Sequence, residues 1–217
     1  PEGIAQAFLI AEDFINNSGV TLILGDNLFH GDFFVKRLQK NYLLNEGASI
    51  FAYSVVNPER YGVIEFDSKG IAYNIEEKPK IPKSKFAITG LYFYDNSVID
   101  KAKKIKPSSR GELEITDINK MYMQEGKLIV EKMNRGMTWL DTGTIDSLHE
   151  ASSYIRLLEK RQGLKIGCPE EVAWRMGYIN EEQLYSLSTK LIKSGYGEYL
   201  RSILYEKNTL GENLNIE

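Results

Sequence analysis

Two apolar runs in this sequence stop on an aspartate. Thr21-Leu22-Ile23-Leu24 gives way to Gly25-Asp26-Asn27, and Thr138-Trp139-Leu140 gives way to Asp141-Thr142-Gly143-Thr144. A short run of high strand propensity before Gly-Asp reads as a buried strand ending at the carboxyl edge of a sheet, where open α/β folds bind their ligands. If one sheet carries both strand ends, the carboxylates of Asp26 and Asp141 reach the same rim. Two hard oxygen donors facing a cleft suit Mg²⁺, which keeps several waters and binds through one or two carboxylates plus substrate phosphates. Two independent turn aspartates give the same pattern, because Asp favours turns.

Glu77-Lys78-Pro79 sets an acid beside a base at a strand end. Neighbouring side chains of an extended segment point to opposite faces, so one can meet a ligand while the other serves the wall. Lysine offers a phosphate a point charge, and glutamate accepts hydrogen bonds from sugar hydroxyls; a solvated surface pair is the alternative. In Arg60-Tyr61-Gly62-Val63 the glycine either presents its amide to a ligand or makes a tight loop. His30 and His149 are isolated. The sequence has no Gly-x-x-x-x-Gly-Lys-Ser/Thr loop, no Gly-x-Ser-x-Gly elbow and no His-Glu-x-x-His, which disfavours P-loop NTPases, α/β-hydrolases and the common zinc proteases.

The elements that must place these residues follow from periodicity. Ile4, Ala7, Phe8, Ala11, Phe14 and Ile15 predict a helix over 4–15, and 21–24 a strand. Gly25, Asn27 and Gly31 mark a loop before a helix over about 33–45, whose buried face is Phe34, Val35, Leu38, Tyr42 and Leu43. A strand over 49–56 completes a helix-strand-helix-strand rhythm, the signature of a parallel sheet covered on both faces. A hairpin follows, 63–66 and 71–75 joined by Asp67-Ser68-Lys69-Gly70. Strand 86–94 contains Gly90, which marks a bulge or a close approach by a ligand. Helices over about 96–104 and 112–124, strands over 128–133 and 138–140, and a helix over 145–162 complete a core of residues 1–162. Residues 163–205 read as a helical subdomain that includes an Asn180/Gln183 capping box, and 206–217 as a frayed tail.

At 217 residues and 42% hydrophobic the chain can bury one substantial core. A formal charge of −3 argues against a nucleic-acid binder. A single cysteine, Cys168, excludes an internal disulfide and makes a reducing cytoplasm the natural compartment. No apolar run is long enough to span a bilayer as a helix.

Seven stretches, in order, resemble one family. Pro1-Glu-Gly-Ile-Ala-Gln6, Leu24-Gly-Asp-Asn27, Pro58-Glu-Arg-Tyr-Gly-Val63, Glu76-Glu-Lys-Pro79, Thr89-Gly-Leu-Tyr-Phe-Tyr94, Arg110-Gly-Glu-Leu-Glu-Ile-Thr-Asp117 and Trp139-Leu-Asp-Thr-Gly-Thr144 are similar to the motifs of the glucose-1-phosphate thymidylyltransferases. The resemblance implies a Rossmann-like nucleotidyltransferase fold with a mixed, mostly parallel sheet flanked by helices, plus the C-terminal helical segment. It implies transfer from dTTP to α-D-glucose 1-phosphate, yielding dTDP-glucose and pyrophosphate, and a homotetramer serving a dTDP-sugar pathway such as that to dTDP-rhamnose. Carried over residue by residue, Asp26 and Asp141 hold Mg²⁺, Glu77 accepts from the sugar hydroxyls and Lys78 binds phosphate. Tyr61, Gly62, Thr89 and Gly90 line the sugar pocket. Pro1, Gly3 and Gly25 lie beside the base and ribose, and Glu112 and Trp139 match further pocket positions.

The chain departs from the family in one respect. The family's opening strand, its Gly-x-Gly-Thr-Arg-Leu loop and the following lysine and glutamine are not among these residues. A chain of these residues alone is expected to lack much of the dTTP grip and a central strand, and to be inactive or poorly folded. With the base-reading residues missing, an enzyme using UTP or another sugar 1-phosphate stays open, as does a non-catalytic nucleotide-sugar-binding module.

Overall fold

The structure is a computed structural model that describes residues 2–31, 34–42 and 44–210, with side chains to Lys207. It divides into two compact units, Pro1–Asp141 and Thr142–Glu217. By this division the long helix, which the sequence reading placed with the core, falls in the second unit.

In the first unit the elements run α1 (Gln6–Ile10), α2 (Glu12–Ile15), β1 (Val20–Ile23), β2 (Asn27–Gly31), α3 (Phe34–Tyr42), β3 (Ala48–Ser54), β4 (Gly62–Phe66), β5 (Ala72–Glu77), β6 (Phe86–Tyr94), α4 (Val98–Ala102), α5 (Ile115–Gln124), β7 (Leu128–Lys132) and β8 (Met137–Asp141). The main sheet has the order β5-β4-β6-β3-β7, with β1 also paired to β6. β3 covers one edge of β6 over its length, while β1 pairs with residues 91–94 and β4 with 86–87.

The sheet is mixed, but its hydrogen-bonded neighbours are mostly antiparallel, contrary to the sequence expectation. Among the described residues only β3 and β7 pair in parallel. The helix-strand rhythm reported direction correctly, since β1, β3 and β7 point the same way. It could not report that β6, running the other way, lies between β1 and β3. The second error is β2, which the sequence reading took for loop. Residues 27–31 carry two of the three breakers used in that reading, Asn27 and Gly31, yet they form a strand because β8 supplies a partner along their whole length.

β6 is the spine because its alternating side chains feed both layers. Ile88, Tyr92 and Tyr94 join Ile50, Ala52, Phe8, Ile118 and Tyr122 under α1, α4 and α5. Ala87, Leu91 and Phe93 join Phe51, Met137 and Trp139, with Phe34 and Leu38 against them. Tyr42, expected on the buried face of α3, is 79% exposed, and Leu43 lies outside the described residues. The predicted first helix is interrupted at Ala11, so its apolar stripe splits between α1 and α2 and leaves Phe14 exposed.

The second unit contains α6 (Ile145–Gln162), α7 (Pro169–Arg175), α8 (Glu181–Lys190) and α9 (Tyr196–Leu210). Thr144 and Ser147 form a reciprocal cap on α6, Gly163 ends it in the left-handed region, and Asn180 with Gln183 caps α8 as the spacing predicts. Leu184, Leu200, Ile203 and Trp174 form a separate small core. α9 continues into the stretch expected to fray, and residues 211–217 lie outside the described ones.

A polar knot fixes α5 to the end of β6. Tyr94 donates to Asn119 at 2.6 Å and Tyr122 to Asp95 at 2.7 Å, while Asp95 also accepts from the Gly47 amide and from Ser97. Burial pushes the Asp95 carboxyl up, but these donors outweigh it and hold it below the usual aspartate value. A depressed native pKa stabilises the fold above the unfolded value and ceases to do so as pH falls through the native one. Asp95→Asn should therefore cost about 1–3 kcal/mol near neutral pH, with the gap to the wild type closing in acid. Urea denaturation across that range measures it, and a pH-independent gap would refute the charge assignment.

Candidate active site

The two aspartates meet on a ribbon, not on the rim of the main sheet. Among the described residues β2 and β8 pair only with each other, antiparallel, in the register Asn27↔Asp141, Leu28↔Leu140 and Phe29↔Trp139. Asp26 thus precedes the cross-strand partner of Asp141, and both line one cavity of about 200 Å³. The ribbon is tied down through Asn27, which is buried. Its Oδ1 accepts from the Gly90 amide at 3.0 Å and from Trp139 Nε1 at 2.6 Å, and its Nδ2 donates to Asp26 Oδ1 at 2.8 Å. Gly90 lies at a bulge and at a close approach, made by the Asn27 side chain and not by a ligand. The β3–β6 register slips between Ile50 and Ala52, opposite this point, and a Cβ on Gly90 would lie 2.6 Å from Asn27 Oδ1.

Around Asp141 the pocket provides its own countercharge. Arg60 Nη2 stands 3.8 Å from Asp141 Oδ2, and the Tyr61 hydroxyl hydrogen-bonds the same carboxylate. Burial, followed by the negative charge of Asp141, pushes the Tyr61 phenol up, so it stays a neutral donor. Its ring packs edge-on to Trp139 with centroids 5.1 Å apart, giving the cavity an aromatic wall.

Glu77 and Lys78 arrive from the end of β5. Gly62 pairs with Glu77 across β4–β5, and the Lys78 amide donates to the Tyr61 carbonyl. Lys78 has φ 41°, a left-handed conformation that a side chain with a Cβ rarely adopts. Its side chain is exposed, so an ammonium is presented at the mouth of the cavity. Glu77 is half-buried; burial, then the nearby Glu114 carboxylate, push its carboxyl above the usual glutamate value against Thr116, Lys78 and Arg110. Arg110 Nη1 lies 3.3 Å from Glu77 and 3.4 Å from Glu114, and its Nη2 lies 2.9 Å from Glu112.

Of the residues singled out in the sequence, Asp26, Tyr61, Gly62, Glu77, Lys78, Gly90, Glu112, Trp139 and Asp141 all line this cavity. Thr89 does not: alternation along β6 puts it on the face opposite Gly90, with its hydroxyl buried. Gly25 is exposed, with open space where a Cβ would stand. Gly3 sits beside the cavity rather than in its wall; at φ 113° it closes on Leu113, whose carbonyl a Cβ would meet at 2.5 Å. Pro1 lies outside the described residues. Sequence reasoning missed Asn27, Arg60, Arg110 and Glu114, although each belongs to a motif it quoted.

The donor set at the ribbon suits a hard divalent cation. Asp26 and Asp141 both line the cavity, Asp26 one residue before the cross-strand partner of Asp141, and among the described residues no group of three or more His, Cys, Asp or Glu forms a cage. A cation there would take its other ligands from water and substrate, the habit of Mg²⁺ rather than of structural zinc.

Because Gly90 leaves room for Asn27, Gly90→Ala must displace the carboxamide and with it Asp26. The expected cost is about 1–3 kcal/mol of stability, read as a lower melting temperature. An unchanged melting curve would show that the junction tolerates the methyl group.

The profile of the nucleotidyl transferase family matches residues 1–156. The chain is 55% identical to a glucose-1-phosphate thymidylyltransferase of Mycolicibacterium smegmatis, over 94% of this chain and 70% of the relative. It is 51% identical to that of Neisseria meningitidis, over 94% and 71%. A Bacillus anthracis structure described as a glucose-1-phosphate thymidylyltransferase in complex with a sucrose superposes with a TM-score of 0.61 at 44% identity, covering 70% of this chain and 60% of that one. A UDP-glucose pyrophosphorylase complexed with UDP-glucose shares the fold, with a TM-score of 0.63 at 22% identity over 70% and 61% of the two chains. A family profile over residues 1–156 and identities above 50% over most of the chain place the protein in the nucleotidyl transferase family and, within it, among the glucose-1-phosphate thymidylyltransferases.

Proposed function

We propose that the cavity transfers a thymidylyl group from dTTP to α-D-glucose 1-phosphate, giving dTDP-glucose and pyrophosphate. The observation that carries this reading is the register Asn27↔Asp141, which brings Asp26 and Asp141 to the cavity that Glu77 and Lys78 also line. A phosphate oxygen of the sugar phosphate attacks the α-phosphorus; that P–O bond forms as the bond to the bridging oxygen breaks, and pyrophosphate leaves with the electron pair. The nucleophile is already an anion, so no side chain has to take a proton, and catalysis is a matter of alignment and charge.

Each residue then has a part. Lys78 sets its ammonium against the sugar's phosphate. Glu77 accepts from sugar hydroxyls, and Tyr61 and Trp139 close the apolar side and exclude water. Asp26, oriented by Asn27, and Asp141 are the ligands for Mg²⁺, which when bound neutralises phosphate charge as it develops. Gly3, Gly25 and Pro1 belong to the base side. A homotetramer in the cytoplasm completes the reading.

Pyrophosphate release from dTTP and glucose 1-phosphate tests it. Asp26→Ala in the full-length enzyme should lower kcat at least ~100-fold with an unchanged circular-dichroism spectrum; wild-type turnover would remove Asp26 from the site. In a nucleotide panel dTTP should be preferred, and a preference for UTP would replace the donor.

The raised Glu77 carboxyl gives a sign to the pH dependence. Ionised, Glu77 accepts from hydroxyls on both oxygens, and protonation turns one of them into a donor, so the KM for glucose 1-phosphate should rise as pH falls, starting at a higher pH than an ordinary glutamate would give. Glu77→Gln should flatten that limb, and a limb retained in the variant would assign it elsewhere.

A further inference from the structure

We infer that Glu114 is a positioning residue for the sugar end of the site, holding Arg110 against Glu77 so that the Glu77 carboxylate keeps its aim. The inference rests on Glu77 being the group that takes the sugar hydroxyls, as proposed above. Glu114 occupies the N-cap of α5 with extended backbone, a position where Asp, Asn, Ser or Thr ordinarily accepts from the first-turn amides; the longer Glu114 side chain makes no such bond. Its carboxylate is turned instead toward the loop before the helix. There Ser108 Oγ donates to Oε1 at 2.7 Å and Arg110 Nη1 lies 3.4 Å from the same oxygen. The Glu114 side chain is 8% exposed, against 43% for Glu112, the other carboxylate on Arg110. A buried carboxylate needs a cation and donors, and Arg110 is the cation within reach.

The consequence falls on Glu77. Nη1 is shared between Glu77 at 3.3 Å and Glu114 at 3.4 Å, so the guanidinium is drawn inward, while Nη2 reaches Glu112 on the open side. The loop itself is closed by Ser108, whose Oγ takes the Arg110 amide and whose carbonyl takes that of Gly111. Without the charge on Glu114 the inward pull is halved, and Glu112 can carry the guanidinium toward solvent. Glu77 would then lose the contact that fixes one of its oxygens, and the sugar its oriented acceptor. The nucleotide end of the reaction does not depend on this triad.

The test separates the two KM values in the full-length enzyme. Glu114→Gln, which keeps shape and the Ser108 bond, should raise the KM for glucose 1-phosphate on the order of tenfold, with kcat and the KM for dTTP changing less. Glu114→Asp, which restores the charge, should recover most of the loss. In the Glu77→Gln background, Glu114→Gln should add little. A glucose 1-phosphate KM unmoved by Glu114→Gln overturns the inference, and so does an equal rise in both KM values, the mark of general loosening. If Glu77→Gln itself leaves that KM alone, the reading of Glu77 fails and takes the inference with it. An effect of Glu77→Gln without one of Glu114→Gln sinks only the inference. Should Glu114→Gln not fold, Ser108→Ala decides: a rise of about two- to threefold in the same KM alone supports the positioning, and no change overturns it.

Discussion

The carboxamide of Asn27 is the joint on which this molecule's first unit depends. The β2–β8 ribbon has no strand neighbour among the described residues and attaches through side chains. Asn27 reaches the backbone of β6 at Gly90, the indole of β8 at Trp139 and the carboxylate of Asp26 at once. Because one oxygen takes two donors, the amide can sit only one way round. Three elements are thereby fixed to a point beside the cavity, and the aspartate that precedes the joint inherits that fixity.

The rest of the unit holds this joint at a defined height above the sheet. β6 is buried along its length, and its two faces feed two cores, so its position is determined from both sides. A slip in the β3–β6 register opens the backbone at the one place where a side chain must approach it. On the other flank, the turn into Lys78 hangs from the Tyr61 carbonyl, and Gly62 leaves room for the Thr116 methyl of α5 and, less closely, for the Glu77 carboxylate. The acid and base of that flank and the carboxylates of the ribbon come from distant parts of the chain; strand pairing holds Glu77 and Asp141, a backbone hydrogen bond holds Lys78, and the Asn27 side chain holds Asp26.

Much of this was legible in the sequence, and the gaps have physical causes. Periodicity located β3, β4, β5, β6 and α6 because their patterns are local. The strand at 27–31 was hidden because its residues include breakers and it exists only through a partner more than a hundred positions away. Adjacency in the sheet was hidden too: direction is written in the connection, but neighbours are chosen by packing. Asp26, Asp141, Glu77 and Trp139 stood out by chemistry and motif. Thr89 was misplaced because a motif names neighbours without saying which face each one takes. Arg110 escaped because a charged loop reads as solvated until its partners are known, and Glu114 because an acidic residue in a predicted first helical turn is explained by the helix alone.

The left-handed backbone at Lys78 sets a limit on how this protein can be improved. A glycine would rest there without strain and would be a natural choice for anyone seeking a sturdier fold, yet it would erase the ammonium at the cavity mouth. Under the proposed function, selection for robustness and selection for turnover pull this one position in opposite directions.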